Sequence, residues 1–422
     1  MAHSTLALAA RTAQMLGLHL EPPDDMPLAE KEMRKRLYWS LYTAESKTCM
    51  KLGRPFALDL STSLCSLPGD SHAVAKLAGS DFAPLGENTT WLSYNLYNTR
   101  LVLAARAIHT ALYDKYADIY NGDKGQTVYD DLDALERYAE FLAASMKTLD
   151  TWAQAVPDVL KTKREGSGAV FSTDRSLLAV EQFAPLWLQR QRLLLELLYH
   201  NLAMNLYRPF ITFPPAPLSS SSSPPPQSLM PMTRSHAESA VNHGMMITHI
   251  MHQILTDTDI LTGWYEAFQW QWNAALTLAG YFFAYPTPAG MARTVRQAVD
   301  RAIAVFDIFG RNFAVANSAA AVMRNLAAKA DFLAAKAGHN DPSQAARPLQ
   351  PLEAAGDALE EGIGLTENSE AAIVAGEANA AAMQPALAMD MTFSVESFNN
   401  LEMLWPPVGN IPDDWGFNFG AT

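Results

Sequence analysis

Apolar residues along this chain recur at intervals of three and four far more often than two, so helices are predicted over most of its length. Leu6, Ala9, Ala13, Leu16 and Leu20 form the first series, with Ser4 or Thr5 placed to cap it and Gly17 near its end. "EPPDDMP" at 21–27 interrupts the pattern. A second helix follows, with Met33, Leu37, Leu41, Ala44 and Thr48 on one stripe and Gly53 and Pro55 to stop it. Residues 56–87 show little periodicity. Two long amphipathic helices come next. Leu92, Leu101, Ala105, Ile108, Leu112, Tyr116 and Ile119 mark the first; Val128, Leu132, Leu135, Leu142, Leu149 and Trp152 mark the second. An apolar helix over about 177–206 contains Pro185, which is expected to kink or split it. Further helices fall near 235–257, 260–285, 289–310 and 313–337. The fold class expected is all-α, a multi-helix array without internal repeats.

Two stretches fall outside this pattern. Residues 214–234 hold five consecutive serines flanked by prolines, a composition that cannot bury a core and predicts a disordered insert. Residues 338–422 are rich in Ala, Gly and acids and read as a disordered tail. The organisation expected is a helical body over 1–213, the insert, a helical continuation over 235–337 and the tail.

Charge separates the tail from the body. The 422 residues carry a formal charge of -13, and from Asp341 onward there are 13 acids and one base, Arg347. The body is therefore nearly neutral, and the tail would repel nucleic acid. Hydrophobic residues make up 49%, enough for a sizeable core. The two cysteines, Cys49 and Cys65, can build neither a disulfide framework nor a four-ligand zinc site. A reducing, intracellular setting is expected. Apolar runs are broken well before the ~18 residues a membrane span needs, and the N-terminus lacks the pattern of a secretory signal.

Little in the chain points to catalysis. "GIGLTE" at 362–367 lacks the strand and third glycine of a dinucleotide loop, and no G-x-S-x-G or H-E-x-x-H occurs. Asp130, Asp133 and Glu136 share a helical face that fits either magnesium bridging or a first turn complementing the helix dipole. His249 and His252, with His236 and His243 nearby, are either a metal-ligating pair or ordinary histidines. "WYEAFQWQWN" at 264–273 puts Trp264, Phe268 and Gln271 on one stripe. They are either core or the wall of a ligand pocket, with Gln269, Gln271 or Asn273 as polar contacts. The segment from Glu30 to Pro55 holds seven bases against three acids. Glu30 precedes Arg34 by four and Glu32 precedes Arg36 by four, the favourable order for helix ion pairs. Tyr38, Trp39 and Tyr42 add apolar area. A packed, ion-paired helix is expected rather than a helix that reads DNA.

These motifs carry a resemblance. "AARTAQMLGLHLEPP", with Gly17, Leu18 and His19, is followed by Glu32, Arg34, Arg36 and Trp39, then by Gly53, Arg54 and Pro55 and by Leu67-Pro68. Together they resemble the regulatory "middle homology" domain of fungal binuclear zinc-cluster (six-cysteine) transcription factors. "LLYHNLAMNLYRPFITF", with Arg208, Pro209 and Phe210, resembles a later helix of that family. The family's Asp-Arg pair after the aromatic helix is here Glu45 and Ser46, the acid kept and the base lost.

The resemblance implies an all-α regulator of RNA polymerase II transcription in the nucleus, without enzymatic activity. DNA would be reached only through an N-terminal zinc cluster that these residues do not contain, so the chain is expected to be N-terminally incomplete and to hold no cofactor itself. Coactivators, a small-molecule inducer and a second copy in a homodimer are the partners implied. In the tail, Phe393, Phe398, Leu401, Leu404 and Trp405 lie among acids, which matches an activation segment as well as a solvated tail. The reading kept beside this one is an all-α small-molecule-binding protein or enzyme built around Trp264.

Overall fold

A computed structural model describes residues 2–78, 89–120, 127–181, 183–213, 230–285 and 290–339. Most of the insert, the whole tail past 339 and its candidate activation residues lie outside the described residues.

Ten α-helices account for nearly all regular structure among the described residues. Helix α1 (Ala2–Met15) begins before Ser4 and Thr5, so neither caps it. It ends at Gly17, whose φ of 66° is a left-handed value open to glycine without a Cβ penalty. Helix α2 (Leu28–Leu52) starts after Pro27 and closes at Gly53, φ 57°, whose N–H and that of Arg54 both turn back to the Cys49 carbonyl. A short helix, α3 (His72–Leu77), is capped by Ser71. The long pair α4 (Ser93–Tyr120) and α5 (Leu132–Ala155) buries Leu101, Ala105, Ile108 and Leu112 against Leu135, Leu142, Leu149 and Trp152, as their spacing predicts.

Residues 177–181 and 183–184 are not helical. Pro185 does not kink a helix but starts one, α6 (Leu186–Tyr207), because proline lacks the N–H that a first turn leaves unused. After a 3₁₀ turn, Arg208–Phe210, come α7 (Pro231–Asp257), α8 (Tyr265–Ala284), α9 (Met291–Phe309) and α10 (Ala314–His339). Helix α7 is central and touches α5, α6, α8 and α9, while α10 covers α9 and α8. The one β-type pairing among the described residues joins Arg164 and Leu178.

Three buried clusters of unequal size result among the described residues, the smallest being Val74 and Ala75 of α3 with Leu92. The main one runs continuously through α4–α10. The second, between α1, α2 and the following loop, has six buried members, including Tyr38, Trp39, Tyr42, Leu58 and Cys65.

The buried face of α2 is not the expected stripe. Met33 and Leu37 are 53% and 54% exposed. The buried side is Tyr38, Trp39, Tyr42, Glu45, Ser46 and Cys49, with Glu32 near its start. The expected Glu-to-Arg pairs do not form either. Glu32 accepts from the Gly69 N–H at 2.7 Å, Arg34 donates to the Leu16 carbonyl at 2.9 Å, and Arg36 donates to the Glu32 carbonyl at 3.2 Å. Lys35 reaches Ser66 and Glu21, both at 2.7 Å, and the Trp39 indole donates to the Ser66 carbonyl at 2.9 Å. Arg34 and Lys35 fasten the end of α1 and the loop after α2, which engages them away from phosphate.

Candidate functional site

The base absent from position 46 is supplied from elsewhere. Arg106 of α4, 8% exposed, donates to Ser46 Oγ at 2.9 Å, lies 3.4 Å from the Glu45 carboxylate and also donates to the Leu58 carbonyl. Its guanidinium sits over the rings of Phe56 and Tyr42, 3.8 and 4.6 Å from their centroids. Glu45, 2% exposed, also accepts from the Ala57 N–H at 2.6 Å. A buried charge is tolerated only when paired and hydrogen-bonded, and here both partners are. This cluster ties α2 to α4.

Beside it, α2, α4, α6 and α8 leave a cavity of about 770 Å³, a size typical of small-molecule sites. Leu112, Leu198, Leu202 and Leu206 form an apolar wall, and Tyr113, Tyr138 and Trp270 provide aromatic faces. Gly53 and Arg54 lie on one side and Arg208 and Pro209 on another, so two distant segments of the family resemblance meet across one space. Of the α8 aromatic segment, Gln269, Trp270 and Asn273 line the cavity; Trp264, Phe268 and Gln271 do not. Phe268 packs with Phe306 and Phe309 in the core, Gln271 is buried and donates to Thr248, and Trp264 precedes the first turn of α8 and packs against the main core. Phe210 is also core, against Tyr138 and His236.

Polar groups in the cavity are unevenly satisfied. Lys47 and Glu266 pair at 2.6 Å. Asn273 donates to Asn201 at 3.2 Å, leaving its own Oδ1 without a partner; Asn205 Oδ1 and His109 Nδ1 are likewise buried and unpartnered among the described residues. Burial, then the nearby Arg106 charge, lowers the His109 pKa to about 4. Burial lowers the Arg208 pKa to about 10 and draws that of Lys51 down as well.

The other candidate groups resolve as structural. Asp131, not Asp130 or Asp133, caps α5; Asp130 accepts from Thr127. Glu136 caps α7 from a distance, accepting from the Met232 and Thr233 N–H groups at 2.7 and 3.0 Å. His236 donates to the Ala139 carbonyl at 2.8 Å. His243 pairs with His200 at 2.8 Å, and His249 is near Arg301. No group of residues able to hold a metal ion occurs among the described residues. His200 belongs to a buried cluster that sequence reading missed. In it Glu196 takes bonds from Arg164 and Thr162 and from the Phe171 N–H at 3.3 Å. The only sequence signal was one acid inside an apolar run.

Residues 2–83, which span α1, α2 and α3, match the fungal specific transcription factor domain. That segment belongs to the family. The chain is 40% identical over 339 residues to "Transcription factor asqA" of Emericella nidulans, which covers 79% of this chain and 58% of that protein. It is 35% identical over 298 residues to "Terreic acid cluster-specific transcription factor atF" of Aspergillus terreus, covering 67% and 42%. An "Oosporein cluster regulator" of Beauveria bassiana is 24% identical over 332 residues, covering 74% and 42%. The chain thus spans about half the length of the curated relatives it matches. No solved structure matches it. The family's fold expectation holds, since the described residues are helical throughout their regular structure. The relatives carry the names of regulators, not enzymes. No helix among the described residues is long and apolar enough to cross a membrane.

Proposed function

We propose that this chain is the regulatory, non-DNA-reading part of a fungal transcription factor that controls RNA polymerase II transcription in the nucleus. The helical body receives a small-molecule inducer in the cavity between α2, α4, α6 and α8. The observation that carries this reading is the meeting of Gly53-Arg54 with Arg208-Pro209 around one space of ligand size. DNA contact falls to a six-cysteine zinc cluster, which Cys49 and Cys65 cannot form. The acidic tail, with Phe393, Phe398, Leu401, Leu404 and Trp405, offers hydrophobes among charges to a coactivator groove. A second copy of the chain is a further partner in this reading.

The test is a fusion of the full chain to a heterologous DNA-binding module in a fungal reporter strain. The fusion should activate the reporter, and removing 338–422 should abolish activation. A fusion that stays silent with the tail, or stays active without it, refutes the activation role.

A further inference from the structure

The charge of the cavity narrows what it takes, provided it is the inducer site just proposed. Its lining holds four cationic side chains, Lys47, Lys51, Arg54 and Arg208, and one carboxylate, Glu266. That carboxylate is already engaged by Lys47 at 2.6 Å. Lys51 has no acidic partner among the described residues, and burial alone acts on it. Arg54 is exposed at the rim and makes no ion pair among the described residues. Lys51 and Arg54 thus leave positive charge at the cavity in a body that is otherwise nearly neutral. A half-buried ammonium facing a partly apolar space is costly unless an anion joins it.

The rest of the lining describes the body of the ligand. Leu198, Leu202 and Leu206 line the cavity together with the rings of Tyr113, Tyr138 and Trp270, a combination that suits a flat apolar framework. Deeper in, the Oδ1 atoms of Asn205 and Asn273 are buried acceptors with no donor. Such atoms are normally satisfied, so a ligand entering here should bring hydroxyl or amide donors to them. Lys51 lines the cavity together with Gly53 and Arg54, so an acid group would end up at that side.

We infer that the cavity binds a flat organic acid bearing hydroxyl groups, with its anionic end against Lys51 and Arg54 and its donors toward Asn205 and Asn273.

The experiment is isothermal titration of the full chain with 6-hydroxy-2-naphthoate and with the neutral alcohol that lacks only its carboxylate, 2-naphthol. The acid should bind once per chain and about tenfold or more tightly than the alcohol, the value of one charge-assisted hydrogen bond. Lys51→Met should erase that difference and leave the alcohol unchanged. Where Lys51→Met lowers the thermal midpoint, Arg54→Gln at the exposed rim serves instead and should weaken the acid alone. Equal, saturable binding of acid and alcohol overturns the acid preference while leaving a ligand site in place. Binding of the acid that is indifferent to both variants also overturns it. Absence of saturable binding by either probe, as when the chain's own tail fills the space, overturns the inducer reading together with this one.

Discussion

Arg106→Met should be among the most damaging single substitutions in the chain. The change removes the base paired with a carboxylate that is 2% exposed, together with a hydrogen bond to Ser46 and one to the Leu58 carbonyl. Glu45 would keep the Ala57 N–H, at 2.6 Å, and the weak Cys49 thiol, at 3.5 Å. Breaking a buried pair from one side costs about 3–5 kcal/mol, because the remaining charge stays unpaired. Loss of the guanidinium from the faces of Phe56 and Tyr42 adds to this, by up to ~2 kcal/mol for a desolvated contact. Methionine refills part of the space, so a net loss of about 3–5 kcal/mol is expected. Urea unfolding of the full chain, followed by far-ultraviolet circular dichroism and tryptophan fluorescence, measures it. Adding Glu45→Gln should restore at least ~1.5 kcal/mol, since no charge is then stranded. A loss below ~1 kcal/mol, or a double variant no more stable than Arg106→Met, would show that the cluster is not the joint between α2 and α4.

Two further outcomes follow from the same region. Gly53→Ala should cost about 1–2 kcal/mol from its left-handed φ of 57°, since an added Cβ would meet nothing closer than Tyr113 Oη at 3.7 Å. Gly53→Asn should cost less, and thermal melts that reverse this order would refute the backbone argument. His109, held neutral with a pKa of about 4 by burial and then by Arg106, is protonated in the unfolded chain below about pH 6.5. The folded state therefore binds fewer protons, and stability should fall as pH drops from about 6.5 toward 4. His109→Gln should flatten that decline and leave stability near pH 7.5 without it; identical pH profiles would refute the assignment.

What could be read from the sequence follows the length of each regular pattern. Helices α4, α5 and α7–α10 declared themselves because apolar spacing holds over twenty or so residues and burial obeys it, as at Leu101, Ala105, Ile108 and Leu112. In α2 the same rule chose the wrong side. Periodicity counts Met33 and Leu37 as core and Glu45 and Ser46 as surface, yet the latter are buried because Arg106, sixty positions away, satisfies them. The local Glu-to-Arg spacing failed for a similar reason, since loop carbonyls and N–H groups compete for those side chains. Trp264, Phe268 and Gln271 do share a helical stripe, but that stripe meets α7 and α9; the cavity lies along Gln269, Trp270 and Asn273. No spacing within one helix reveals a space whose walls come from four.

The bases and acids of α2 also set how the molecule comes apart. The layer of α1 and α2 rests on a cluster of six buried side chains, α3 on a smaller one of Val74, Ala75 and Leu92, and both on polar stitches from Arg34, Lys35, Glu32 and Trp39, whereas α4–α10 share one continuous apolar core. Few apolar contacts and many side-chain bonds to loop backbone are the mark of a unit that opens by itself, well below the cost of global unfolding. Lys47, Lys51, Gly53 and Arg54 belong to that layer and also border the cavity. The family's most recognisable segment is thus the hinged side of the molecule, and an occupant of the cavity would slow its opening by bridging it to the more stable side.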